Sequence, residues 1–92
     1  MAAIDIADCT VTMDAPLSGF NVWTIVTPAT ADDGDTIDIS SIIDTTKIVA
    51  ASCQADTDGW LPVAAISTAG ALTIPGSTDN EARTIYVMAR NA

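Results

Sequence analysis

The stretch Phe20-Asn21-Val22-Trp23-Thr24-Ile25-Val26-Thr27, closed by Pro28, decides how this 92-residue chain is read. It is dense in β-branched and aromatic residues, which pack well on a pleated surface and lose more freedom in a helix. Alternate side chains of a strand fall on opposite faces, so Trp23 and Ile25 point one way and Phe20, Val22 and Val26 the other. A strand apolar on both faces is either central or part of an interface. Pro28 has no N–H to give a ladder and ends the run.

The same pattern recurs on either side. Residues 4–6 alternate and start an edge strand. Residues 9–13 place Cys9, Val11 and Met13 on one face. A loop is expected over 14–19 and a turn-rich one over 29–34. Residues 35–40 alternate with Ile37 and Ile39 inward, and a helical turn over 41–46 buries Ile42 or Ile43. A strand over 47–54 turns Val49, Ala51 and Cys53 inward. The strand expected over 60–66 carries Pro62, which suits an edge or a strand start. A tight hairpin connection is expected at 68–70, a short strand with Leu72 and Ile74 inward, a loop over 76–81, and a closing strand over 83–89 with Ile85 and Val87 inward. Turn signals about every ten residues predict an all-β domain. It is read as a compact sandwich or barrel of about seven or eight antiparallel strands, Ig-like. The chain reads as one domain over 1–92, with residues 1–8 either a docking arm or an edge strand.

Composition narrows the function. Apolar residues make up 49% of the chain and charged ones only 16%, more grease than a small soluble exterior usually shows. Either part of the surface meets another protein, or abundant Ala and Thr inflate the count. Twelve acidic residues against three basic ones give a net charge of −9. Lys47, Arg83 and Arg90 are too few to neutralise a phosphate backbone, so neither nucleic acid nor an anionic membrane is an expected partner. No run of 18 apolar residues is present, and the opening lacks the basic and apolar regions of a secretory signal. Met1 favours synthesis in the cytoplasm.

The chemistry-bearing residues are sparse. Cys9 and Cys53 share inward parity with Trp23 between them, the order of an immunoglobulin-type bridge; the tyrosine expected two residues before the second cysteine is replaced by Ala51. Two buried free thiols are the other reading. With two cysteines and no histidine, zinc is not expected. Asp56-Thr57-Asp58-Gly59 resembles the opening of a calcium loop, and Gln54 with Asp56 and Asp58 would supply oxygens. Asp32, Asp33 and Asp35 form a second acidic tip. Asp and Gly also build ordinary turns. No histidine, nucleophile elbow or phosphate loop is present, so the chain is not expected to be an enzyme and no cofactor is expected. Trp60, at a loop–strand junction before Leu61, is either an interface anchor or the cap of the sandwich end.

Gly34-Asp35-Thr36-Ile37-Asp38-Ile39-Ser40, then Lys47-Ile48-Val49-Ala50-Ala51, then Ala71-Leu72-Thr73-Ile74-Pro75-Gly76-Ser77 and a final Thr84-Ile85-Tyr86-Val87 strand together resemble small β-rich virion proteins of tailed phages. The resemblance spans about residues 34–89. It has no counterpart in the N-terminal third and brings no catalytic motif. It implies a capsid decoration or cement protein on the outer capsid surface, made in the host cytoplasm. Such a protein binds the major capsid protein and self-associates, with a trimer favoured. Ile4 and Ile6, on a segment able to add a strand to a neighbour's sheet, and Trp60 with Leu61 are the expected contact residues. A phage tail or head-fibre module is one alternative. An extracellular Ig-like adhesion module with a Cys9–Cys53 bridge is another.

Overall fold

In the computed structural model, residues 3–17, 19–55, 59–62, 66, 67, 70–75 and 79–90 are described. Among them the chain forms strands β1 (Ala3–Ile4), β2 (Thr10–Leu17), β3 (Phe20–Val26), β4 (Thr36–Asp38), β5 (Ile48–Ala55), β6 (Gly59–Pro62), β7 (Ala71–Thr73) and β8 (Arg83–Arg90). Two short 3-10 turns, Ile6–Asp8 and Thr45–Lys47, each begin on an aspartate. The Asp5 carboxylate accepts the Ala7 N–H and Asp44 the Thr46 N–H, both at 3.0 Å, satisfying donors the turn leaves open.

The strands make two sheets, β2-β3-β8-β5-β6 and β1-β4-β7. The described residues thus form an all-β sandwich of about eight strands. One pairing departs from expectation: β1 runs parallel to β4, while the other strand pairs are antiparallel. Two strands intervene in sequence between β1 and β4, so no tight hairpin dictates their direction.

Register explains the core. Val11, Ile25, Ile85, Cys53 and Leu61 stand side by side across the five-stranded sheet. Ile4, Ile37 and Leu72 form the corresponding row of the small sheet. Ile25, Ile37, Ile39, Leu72, Ile74, Ile85 and Val87 are fully buried between the layers, and Ile43 closes one side. Each such side chain contributes about 1.5–3 kcal/mol on transfer from water. The radius of gyration, 12.3 Å, is what a compact chain of this length should show, about 12 Å.

Three local expectations change. First, β2 runs on to Leu17 where a loop was expected; β2 is an edge strand, where a proline is tolerated, and a register shift between Asp14 and Leu17 absorbs the irregularity. Second, Val49 is 51% exposed and not inward, because a bulge between Ile48 and Ala50 resets the alternation of β5. Third, Trp23, expected from its mid-strand place to fill the core, is only half-buried against it. The small sheet is too short to cover the whole inner face of the large one, and Met13, paired with Trp23, is 47% exposed.

Arg83 opens β8 fully buried. Its backbone N–H donates to Thr27 Oγ1 at 2.8 Å, its carbonyl accepts the Thr27 N–H at 2.9 Å, and its guanidinium donates to the Glu81 carbonyl. Asp56, Thr57 and Asp58 of the calcium-like turn lie outside the described residues, as do 63–65 of the expected strand, 68 and 69 of the hairpin, and 76–78 of the loop.

Candidate protein-contact face

The outer face of the five-stranded sheet is built from the residues that alternate with the core row. Across its middle run Thr12, Thr24, Tyr86 and Ser52. On one side lie Thr10, Val26, Thr84, Gln54 and Trp60, and on the other Asp14, Val22, Met88 and Ala50, followed by Phe20 and Arg90. An antiparallel sheet with one wet face normally alternates apolar-in with polar or charged-out. Here, among the described residues of this face, charge is confined to Asp14 and Arg90 at one end.

Trp60 is 60% exposed, and its ring reaches across β5 to Tyr86, with centroids 5.3 Å apart and planes tilted by 38°. Such a pair is worth about 0.5–1.5 kcal/mol beyond its burial and forms a rigid apolar ridge. Beside it, small Ala50 and Ser52 leave a shallow groove of about 180 Å³ bounded by Val22, Tyr86 and Met88. The groove is wide enough to admit an apolar side chain of a partner.

The charged groups gather at the two ends of the strands. At the end where β3 finishes and β8 begins, the loops carry Asp32, Asp33, Asp35, Asp79 and Glu81. Asp32 Oδ1 accepts the Asn80 N–H at 2.8 Å, Asp35 Oδ2 the Asp32 N–H at 2.9 Å, and Asp79 Oδ1 the Asp33 N–H at 3.2 Å. The tip singled out in the sequence therefore uses its carboxylates to stitch two loops together. At the opposite end, where β8 finishes and β5 begins, stand Lys47, Arg90 and Asp44. The Thr46 hydroxyl and N–H, helped by Lys47 and Arg90, hold the Asp44 carboxyl below the usual carboxylate range. Ser40 does the same to Asp38 on the outer side of the small sheet, with its hydroxyl at 2.7 Å and its N–H at 2.9 Å.

The expected contact residues separate. Trp60 is on the open face. Leu61, its neighbour, has the opposite parity, pairs with Cys53 and is half-buried. Ile4 and Ile6 are half-buried, pack against the core, and line an open hollow of about 370 Å³ with Asp5, Asp38 and Ser41. Residues 3 and 4 pair with the chain's own β4, the edge-strand alternative for this segment. Tyr86, Met88 and Ala50 were not singled out from the sequence. Their signal was the outward parity of β8 and β5, which the bulge at Val49 disguised.

Cys9 and Cys53 are not joined in a disulfide. Cys9 immediately precedes β2 and Cys53 lies on β5 of the same sheet, with β3 and β8 between. Three strand spacings separate them by about 14 Å, twice the Cα separation a disulfide spans. The immunoglobulin-like order of cysteines therefore does not place them in facing sheets. Burial, with Asp8 and Asp5 nearby, pushes the Cys9 thiol above its ordinary value.

Comparison with protein families, with curated proteins and with solved structures finds no match.

Proposed function

We propose that this chain is a non-enzymatic structural protein of a virus particle, a decoration or cement protein that binds the major capsid protein on the outer surface of a tailed-phage shell. The observation that carries the reading is the outer face of the large sheet: uncharged across its middle, ridged by Trp60 and Tyr86, on a chain of net charge −9. A face of this kind is costly to leave in water and gains when another protein covers it. The likeness of residues 34–89 to phage virion proteins supplies the setting. On a shell, many identical copies multiply individually weak contacts, so a small rigid domain suffices.

The test is co-sedimentation of the purified protein with undecorated shells, followed by the melting temperature of the shells. Binding that saturates, and a shell transition that rises with added protein, are the expected results. No binding at about 100-fold the coat-subunit concentration of a micromolar interaction rejects the reading. Binding to tail tubes or fibres in place of shells would move the protein to another part of the particle.

A further inference from the structure

We propose that the coat-protein surface covering the outer face of the β2-β3-β8-β5-β6 sheet has an apolar centre and a rim of Lys and Arg side chains. The inference rests on the reading of that face as the shell-binding surface and adds the chemistry of what it binds.

Charge placement selects the occupant. Of the three cationic side chains, Arg83 is fully buried, which leaves Lys47 and Arg90 against twelve acidic residues. The middle of the face, Thr12, Thr24, Tyr86 and Ser52, is uncharged. Carboxylates stand beyond both of its ends. Asp8, Asp32, Asp33, Asp79 and Glu81 lie at the end where β3 finishes and β8 begins. Asp14 and Asp44 lie at the other end, where their charges offset those of Lys47 and Arg90.

A second copy of the chain fits neither way round. With its strands in the same direction it lays carboxylates over carboxylates at the acidic end. With its strands reversed it lays the acidic end over an end whose charges cancel, and gains nothing. A surface with cations around an apolar patch gains at the acidic end and is drawn in by the net charge of −9. The ridge of Trp60 and Tyr86, and the groove between Val22, Ala50 and Met88, supply the apolar half of the contact.

The size of the face gives the rim its weight. Five strands at about 4.8 Å spacing and four outward rows at about 6.8 Å give a footprint of roughly 20 by 20 Å, which buries on the order of 1,000 Å² for the two partners together. That is the low end of specific interfaces, so charges around the edge are expected to shift the affinity measurably.

Co-sedimentation with undecorated shells in a salt series tests this, beside sedimentation equilibrium of the chain alone. Binding is expected to weaken at least tenfold between about 50 and 500 mM NaCl. The Asp14 and Asp33 side chains are exposed, so Asp14→Lys and Asp33→Lys should leave the circular dichroism spectrum unchanged. Each should weaken shell binding by roughly tenfold at low salt, and Arg90→Glu, which adds to the acidic excess, should tighten it by about threefold. Shell binding that ignores salt, that survives both lysine variants at full strength, or that weakens with Arg90→Glu overturns the basic rim while leaving the shell-binding reading intact. A dimer formed without shells and dissolved by Thr24→Lys, a charge set in the middle of the face, gives the face to a second copy and overturns it as well. Absence of shell binding at every salt concentration rejects the shell reading itself, and the basic rim with it.

Discussion

At Gly70 the backbone adopts φ +93°, and a Cβ built there would stand 2.6 Å from the Ser40 Cβ. The Gly70 carbonyl accepts the Ile39 N–H at 2.9 Å, so the two segments cannot move apart without losing that bond. Gly70→Ala combines a left-handed backbone with a clash, and should cost about 2–4 kcal/mol in denaturant unfolding. The sequence marks a turn here, but the close approach of Ser40 comes from another segment and is invisible to local pattern. The thiols give a second expectation. With its pKa raised, Cys9 is protonated at neutral pH and should react slowly with a thiol reagent, faster as pH climbs past the ordinary thiol value; buried Cys53 should react only on unfolding. Two fast-reacting thiols in the native protein would contradict both placements. Trp23, half-buried beside exposed Met13, should cost about 2–3 kcal/mol on truncation to alanine, less than a fully enclosed tryptophan.

Strands show most clearly what alternation can and cannot reveal. The inward faces of β3, β4, β7 and β8 were legible because an uninterrupted period of two leaves one assignment. In β5 a single bulge breaks that period. Val49, expected inward, turns out, and Ile48 takes the place opposite Ala89. Val49→Ala should therefore change stability by no more than about 0.5 kcal/mol, while Ile85→Ala in the unbroken strand β8 should cost about 2–5 kcal/mol, measured side by side by urea unfolding. A bulge is a backbone event set by neighbouring strands, and no residue of β5 announces it. The first strand was legible as an edge, but its parallel pairing was not, since direction follows from tertiary packing. Removing residues 3–8 takes away β1, Ile4 and Ile6 together, so a lowered melting temperature is the expected outcome whether or not the segment also touches a partner.

For the molecule as a whole, the charge pattern sets the response to acid. Asp38 and Asp44 are fully exposed, and both have folded-state pKa values below the ordinary range, through hydrogen bonds from Ser40 and Thr46. A lowered pKa means the folded state favours the carboxylate. The contribution is whole above the ordinary carboxyl pKa and disappears as pH falls through the folded value, below about pH 4. Carboxyl NMR titration should find both midpoints low, and Ser40→Ala should return that of Asp38 upward. The acidic balance was readable from composition; the gathering of Asp32, Asp33, Asp35, Asp79 and Glu81 at one end was not, because the loops over 28–35 and 79–82 meet only when β3 and β8 pair. The outer face was half legible: two-sided apolarity of residues 20–26 left a central strand or an interface open, and β3 does lie between β2 and β8, while the partners of Trp60 depend on which strands lie beside β6.

The order β2-β3-β8-β5-β6 puts the last strand in sequence at the centre of the large sheet. β3 and β5 have no common neighbour until residues 83–90 exist, so until then the β2-β3 and β5-β6 hairpins of the large sheet are unjoined. Closing the large sheet must wait until residues 83–90 are made and joins segments some sixty residues apart, the slow, non-local kind of topology. Ribosomes stalled just short of residue 83 should carry nascent chains that a protease digests throughout.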